Sequence, residues 1–148
     1  MKSKMIKPTS SLSTYRMELK YKVWAERSVL GAPYCPICNQ QFRLAEPSMH
    51  EAFIPRSVVA GCDEETQLLI YVPENVVLVH EPKCHIRAQH FEDGKIACAM
   101  QVIHYEGVDK IIKWMDLIDS KLRFRDNQKR TILEMAVAEM ETLNGTIL

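Results

Sequence analysis

The feature that most limits what this chain can fold into is Cys35-Pro-Ile-Cys38, two thiols separated by a proline-containing dipeptide. Two thiolates at this spacing, on a tight knuckle, both reach one tetrahedral ion at about 2.3 Å. A redox pair shares the spacing but as a rule sits at a helix N-terminus after a strand. Here Pro36 lies within the pair and the polar residues Asn39 and Gln40 follow it, which favours a zinc knuckle over a redox pair. A closed tetrahedral site needs two more ligands. The one dense supply is His80-Glu-Pro-Lys-Cys84-His85, with His90 just beyond. The simplest completion is Cys35, Cys38, His80 and Cys84; His90 in place of His80 is the alternative. Structural Zn²⁺ held this way staples the knuckle to a distant segment, which suits a loop-rich region. The gap from Cys38 to His80 far exceeds the roughly 12 residues of a C2H2 finger.

The remaining cysteines point the same way. The chain has five cysteines, an odd number, and its first residues, MKSKMIKPTSSLSTYR, contain no apolar core of a secretory signal. A disulfide framework is therefore not expected. Cys62 and Cys98 have no partner at ligand spacing, and Cys98 lies in an apolar helical stretch, where burial as a small hydrophobe is expected. No apolar run approaches the roughly 18 residues of a membrane span, so a cytoplasmic protein without membrane contact is expected. The net charge is zero, yet residues 1–44 hold eight Lys/Arg against Glu18 and Glu26. A basic arm on a neutral protein is compatible with phosphate contact, because local potential matters more than the total.

The length, 148 residues, suits one compact domain in three parts. Residues 1–32 form the basic arm and a lead-in helix over 10–30. Leu12, Tyr15, Leu19 and Val23 fit a helical face there, although Met17, Leu19, Tyr21 and Val23 also alternate as a strand would. Residues 33–92 carry the chemistry and are cut by Pro33, Pro36, Pro47, Pro55, Pro73 and Pro82, which exclude long helices. The β-branched run at 76–79 reads as a buried strand, with a second strand at 51–54. Residues 93–148 read as packing helices. One covers 95–105 after Gly94 and another 108–118 after Gly107. A last helix places Ile132, Met135, Ala136, Met140 and Leu143 on one face and ends at Gly145. His85 and His90 share a short helical segment, but positions five apart diverge by about 140°. Only one of them then faces a catalytic ion, and its place beside Cys84 favours His85.

A CxxC, then His50 within Met-His-Glu-Ala-Phe-Ile-Pro-Arg-Ser, then Asn75 in Glu-Asn-Val-Val-Leu-Val, then Cys84-His85 is an order that resembles the HNH, or ββα-metal, endonucleases with a zinc knuckle, including phage-type members. The resemblance covers roughly residues 34–92. It implies an α+β fold, with a ββα-metal core and its zinc knuckle flanked by N-terminal and C-terminal helices. It also implies metal-dependent hydrolysis of DNA phosphodiester bonds. His50 is then the general base with Glu51 helping to hold the cation, or else His50 binds the metal itself. Asn75 ties loop to strand. His85 binds the catalytic Mg²⁺, Mn²⁺ or Ni²⁺, with Glu51 and His90 as further ligand candidates. Arg56, Lys83 and Arg87, beside the motif, are positioned to contact phosphates.

Two departures stand out: Met49 occupies the place where the family has an acid or a histidine, and His80-xxx-Cys84 is one residue longer than a second CxxC. The chemistry stands without the family name. A neutral imidazole takes the proton of a nucleophilic water, and a divalent cation stabilises phosphoryl and leaving oxygens. The alternative is a non-catalytic zinc module on the same fold that binds nucleic acid or protein.

Overall fold

The computed structural model describes the backbone of residues 3–44, 46–122 and 128–147, and the side chains of residues 12–44, 46–122 and 129–144. Lys2 of the basic arm, and the side chains of Lys4 and Lys7, lie outside that description. In chain order the elements are α1 (Ser3–Arg27), β1 (Ser48–Glu51), a 3₁₀ turn (Arg56–Val59), α2 (Glu64–Leu68), a second 3₁₀ turn (Pro73–Asn75) and β2 (Val76–Val79). Four helices follow: α3 (Lys83–His90), α4 (Glu92–Glu106), α5 (Val108–Leu122) and α6 (Gln128–Ile147). This is an α+β arrangement. No helix among the described residues is long and apolar enough to cross a membrane.

The centre is β2. All four of its residues are buried, because α1, α3 and α4 pack on it and β1 runs antiparallel along one edge. A strand covered on both faces reads as a continuous apolar run rather than an alternation. The register sets Ser48 opposite Val79, Met49 opposite Leu78, His50 opposite Val77 and Glu51 opposite Val76. The strand expected at 51–54 therefore lies three residues earlier. The ladder ends where Pro73–Asn75 turns. The last main-chain bond runs from the Ala52 N–H to the Asn75 carbonyl, at 2.6 Å.

Beyond that point one side chain replaces the ladder. Asn75 is fully buried. Its Oδ1 accepts from the Phe53 and Ile54 N–H groups at 2.9 and 3.0 Å. Its Nδ2 donates to the Ile54 and Ile70 carbonyls at 2.9 and 3.0 Å. The amide is satisfied on both ends, which is what burial requires, and it links the chain at 53–54 to Ile70.

Helix α1 ends at Arg27, short of residue 30, where the Ser28 hydroxyl donates to the Trp24 carbonyl at 2.6 Å. A tight turn follows, with Leu30 at φ 54° and Gly31 at φ 100°. Leu19 and Val23 are buried as expected, while Tyr15, at the edge of that stripe, stays exposed. Buried Arg27 donates to the Val76 carbonyl at 2.8 Å and the Pro73 carbonyl at 3.0 Å, and pairs with Glu106 at 3.4 Å. Burial lowers its pKa, and Glu106 opposes that shift.

The later helices complete one core cluster that reaches from Leu19 to Ala136. In α5, Ile111, Trp114, Met115 and Ile118 are buried at helical spacing, and the Trp114 indole donates to the Leu69 carbonyl at 2.8 Å. In α6, Ile132 and Ala136 are buried and Met135 and Met140 half-buried, but Leu143 is exposed and the helix continues through Gly145. Gly94 lies inside α4 rather than ahead of it, for a packing reason. A Cβ there would sit 2.3 Å from the Arg87 carbonyl oxygen, so only glycine lets α3 and α4 approach this closely.

Two substitutions check this account. Asn75→Ala leaves two N–H and two carbonyl groups unpaired and is expected to cost at least about 3 kcal/mol in chemical denaturation. Gly94→Ala is expected to cost about 1–3 kcal/mol through the backbone clash. A Gly94→Ala protein as stable as the parent would show that the α3–α4 contact is not limiting.

Candidate metal centre and histidine cleft

The knuckle is built by backbone hydrogen bonds before any metal enters. The Asn39 N–H bonds the Cys35 carbonyl and the Cys35 N–H bonds the Gln40 carbonyl, both at 2.9 Å. Asn39 takes φ 59°, a left-handed conformation that asparagine tolerates. This folds Cys38 back beside Cys35. His80 follows β2 directly and Cys84 sits in the first turn of α3, so the strand end and the helix start deliver the other two donors. The donor atoms of Cys35, Cys38, His80 and Cys84 all lie within 4.8 Å of one another. About 3.7 Å separates ligands around a tetrahedral ion with bonds near 2.3 Å, so this set can hold zinc.

Details of the four residues fit that use. His80 Nδ1 faces Cys38 Sγ at 3.3 Å, while its Nε2 lies 2.9 Å from Glu46 Oε1. A carboxylate behind an imidazole fixes its tautomer and orientation as a ligand. The Phe42 ring packs on the imidazole with centroids 4.3 Å apart. Burial opposes ionisation of Cys35, yet the backbone at Cys38, His80 and Ile37 more than offsets it and lowers the thiol's pKa. Burial and then the neighbouring Cys35 push Cys84 up to about 12. With Cys84 pushed up this far, a divalent cation held by the set would supply the positive charge that favours its thiolate. Buried Cys98 is raised by burial too, with smaller contributions from Cys35 and Cys84. It lies outside the four-donor set.

A second group of residues lies on the other side of the same segment. His50 on β1 and His85 on α3 meet edge to face, ring centroids 5.1 Å apart. Burial, helped by the charge of His85, pushes His50 down to about 4, and a hydrogen bond to the Ala88 backbone opposes the shift. His50 is thus a neutral imidazole at physiological pH. His85 Nδ1 lies 2.8 Å from Glu81 Oε2, which also accepts from the Ser48 hydroxyl at 2.9 Å. Those two contacts, His85 first, hold the Glu81 carboxyl below its usual range. The Arg56 N–H donates to Glu51 Oε1 at 3.2 Å. His50, Glu51, Arg56, Glu81 and His85 all line one cleft of about 1040 Å³, whose opposite wall is α1.

Several expected site residues lie elsewhere. His90 is exposed at the end of α3 and belongs neither to the four-donor set nor to the cleft lining, because five residues of helix turn it well away from His85. His80, not His90, completes the set. Lys83 and Arg87 line a separate, smaller depression with Ile37, Ile86 and Phe91. They stand one helical turn apart on a different face of α3 from His85, and Arg87 pairs with Asp93. Of the three cations beside the motif, Arg56 alone reaches the cleft. Glu46 and Glu81, the carboxylates behind the two imidazoles, were not anticipated. Glu81 carried a signal, four residues before His85; Glu46 sits in a loop and carried none.

Comparison with protein-family models, with curated proteins and with solved structures found no match. Metal analysis of purified protein is expected to give about one zinc per chain. Cys35→Ser is expected to lose zinc and the folded state together. Glu46→Ala is expected to stay folded while losing about 10–100-fold in zinc affinity by chelator competition. Unchanged affinity would mean that Glu46 does not support the ligand.

Proposed function

We propose that this protein is a metal-dependent endonuclease that hydrolyses DNA phosphodiester bonds in the His50–His85 cleft, with the four-donor centre as a structural zinc site. The observation that carries this reading is the pairing of a neutral, half-buried His50 with a carboxylate-backed His85 in a cleft bordered by cations. It matches the order of residues that resembles the HNH endonucleases.

Each residue has a task. His50, kept neutral by its burial, would take a proton from an attacking water through a ring nitrogen. Glu81 holds the Nδ1 side of His85, and Nε2 has no hydrogen bond among the described residues, so that nitrogen is the one available to a cation. Glu51 is the nearest carboxylate along β1 to share such an ion. A divalent cation bound there supplies charge neutralisation for the phosphoryl group and the leaving oxygen. Arg56 adds positive charge at the cleft wall. Asn75 acts at one remove by fixing the chain that leaves β1 just after His50.

One observation favours a second reading, a zinc-stabilised module that binds DNA without cutting it. Among the described residues, the cysteine and histidine set is the one place where three or more metal donors converge. The cleft, by contrast, pairs His85 with a single carboxylate.

A plasmid-nicking assay with Mg²⁺, Mn²⁺ and Ni²⁺, against a chelator control that leaves the zinc content unchanged, separates the two. Cation-dependent nicking is expected, and it is expected to vanish in His50→Ala protein that keeps its fold and zinc. Equal nicking by His50→Ala and the parent would remove His50 as the base. Glu81→Gln is expected to slow nicking about 10–100-fold.

A further inference from the structure

Helix α1 forms the wall of the cleft opposite the two histidines. It presents one face there, Ser13, Arg16, Met17, Lys20, Tyr21 and Trp24, at the three- and four-residue spacing of a single helical stripe. The stripe is unlike a core-facing one. Tyr21 is 64% exposed and Met17 54% exposed. The core of α1 is carried instead by Leu19 and Val23 on another side of the helix. Arg16 lies with its guanidinium 5.2 Å from the centroid of the Tyr71 ring. Its Nε is buried and has no hydrogen-bond partner among the described residues. With Lys20 and Arg56 it gives the lining three cations against the two carboxylates Glu51 and Glu81. A free aromatic ring beside cations is the combination that grips a single nucleic-acid strand, the base on the ring and the backbone on the charges.

The size of the cleft favours one substrate form. About 1040 Å³ is close to the volume that encloses one drug-sized ligand. It accommodates a short stretch of one strand. It does not accommodate two backbones held about 12 Å apart across a major groove. A strand that enters unpaired brings its phosphate to His50 and His85 past α1, and a plasmid offers such a strand where its duplex opens locally.

We infer that the cleft binds single-stranded DNA in preference to duplex, with Tyr21 as a base-stacking platform and Arg16 and Lys20 as phosphate contacts. This rests on the nuclease reading for what happens after binding, but binding is measured separately. The probe is a fluorescent oligonucleotide of about 12 nucleotides, offered to zinc-loaded His50→Ala protein as a single strand and as a blunt duplex. The expected result is at least tenfold tighter binding of the single strand. Tyr21→Ala is expected to weaken it at least about fivefold, the low end of one lost base stack, while Tyr21→Phe restores it. Lys20→Glu is expected to weaken binding and flatten its salt dependence. Duplex binding as tight as single-strand binding overturns the inference, as does an unchanged affinity in Tyr21→Ala. Because Tyr21 is exposed, its truncation does not threaten the fold. Single-strand binding that depends on Tyr21, without nicking by the parent protein, supports the inference and removes the nuclease reading. Nicking of duplex with no preference for a single strand does the reverse.

Discussion

A two-stranded sheet leaves its buried strand with one open edge, and the rest of this molecule is arranged around that problem. The main-chain groups of β2 lie under α1 and α4, away from water, and each must find a partner. β1 serves one edge. At the start of the strand Arg27 supplies the donors, reaching the Val76 and Pro73 carbonyls from the end of α1. Burying a guanidinium costs several kcal/mol unless it is paired and hydrogen-bonded; Glu106 at the end of α4 provides the pairing, while Nε has no hydrogen-bond partner among the described residues. One side chain thus joins α1, β2 and α4.

Asn75 solves the matching problem one residue earlier. The chain must leave β1 and enter the segment 52–72 without exposing or orphaning its amides, and a single buried carboxamide accepts and donates for both sides. Arg27 and Asn75 flank the same strand entrance. The position of His50 on β1 depends on both, since β1 has no other neighbour in the sheet.

What could be read from the sequence followed physical locality. The run at 76–79 announced itself because a strand buried on both faces must be apolar throughout, and β-branched residues suit it. The four metal donors followed from ligand chemistry, which is indifferent to the fold between them. Ser48-Met-His-Glu has no strand character of its own, and its place comes from pairing with β2, a contact that no local pattern records. Lys83, Arg87 and His90 stood close to His85 in sequence, yet on a helix neighbours in number point in different directions. Glu46 became visible only once the His80 ring had an orientation.

The segment from 80 to 85 joins β2 to α3 and alternates its loyalties. His80 and Cys84 turn toward the knuckle, while Glu81 and His85 turn toward the cleft. The two sets are offset by a single position and share every peptide bond between them. Neither can drift by one residue, lengthen or shorten without dragging the other along. Side chains outside the segment can change one site alone, but an insertion here would displace both at once. Their fates are joined in the same six residues.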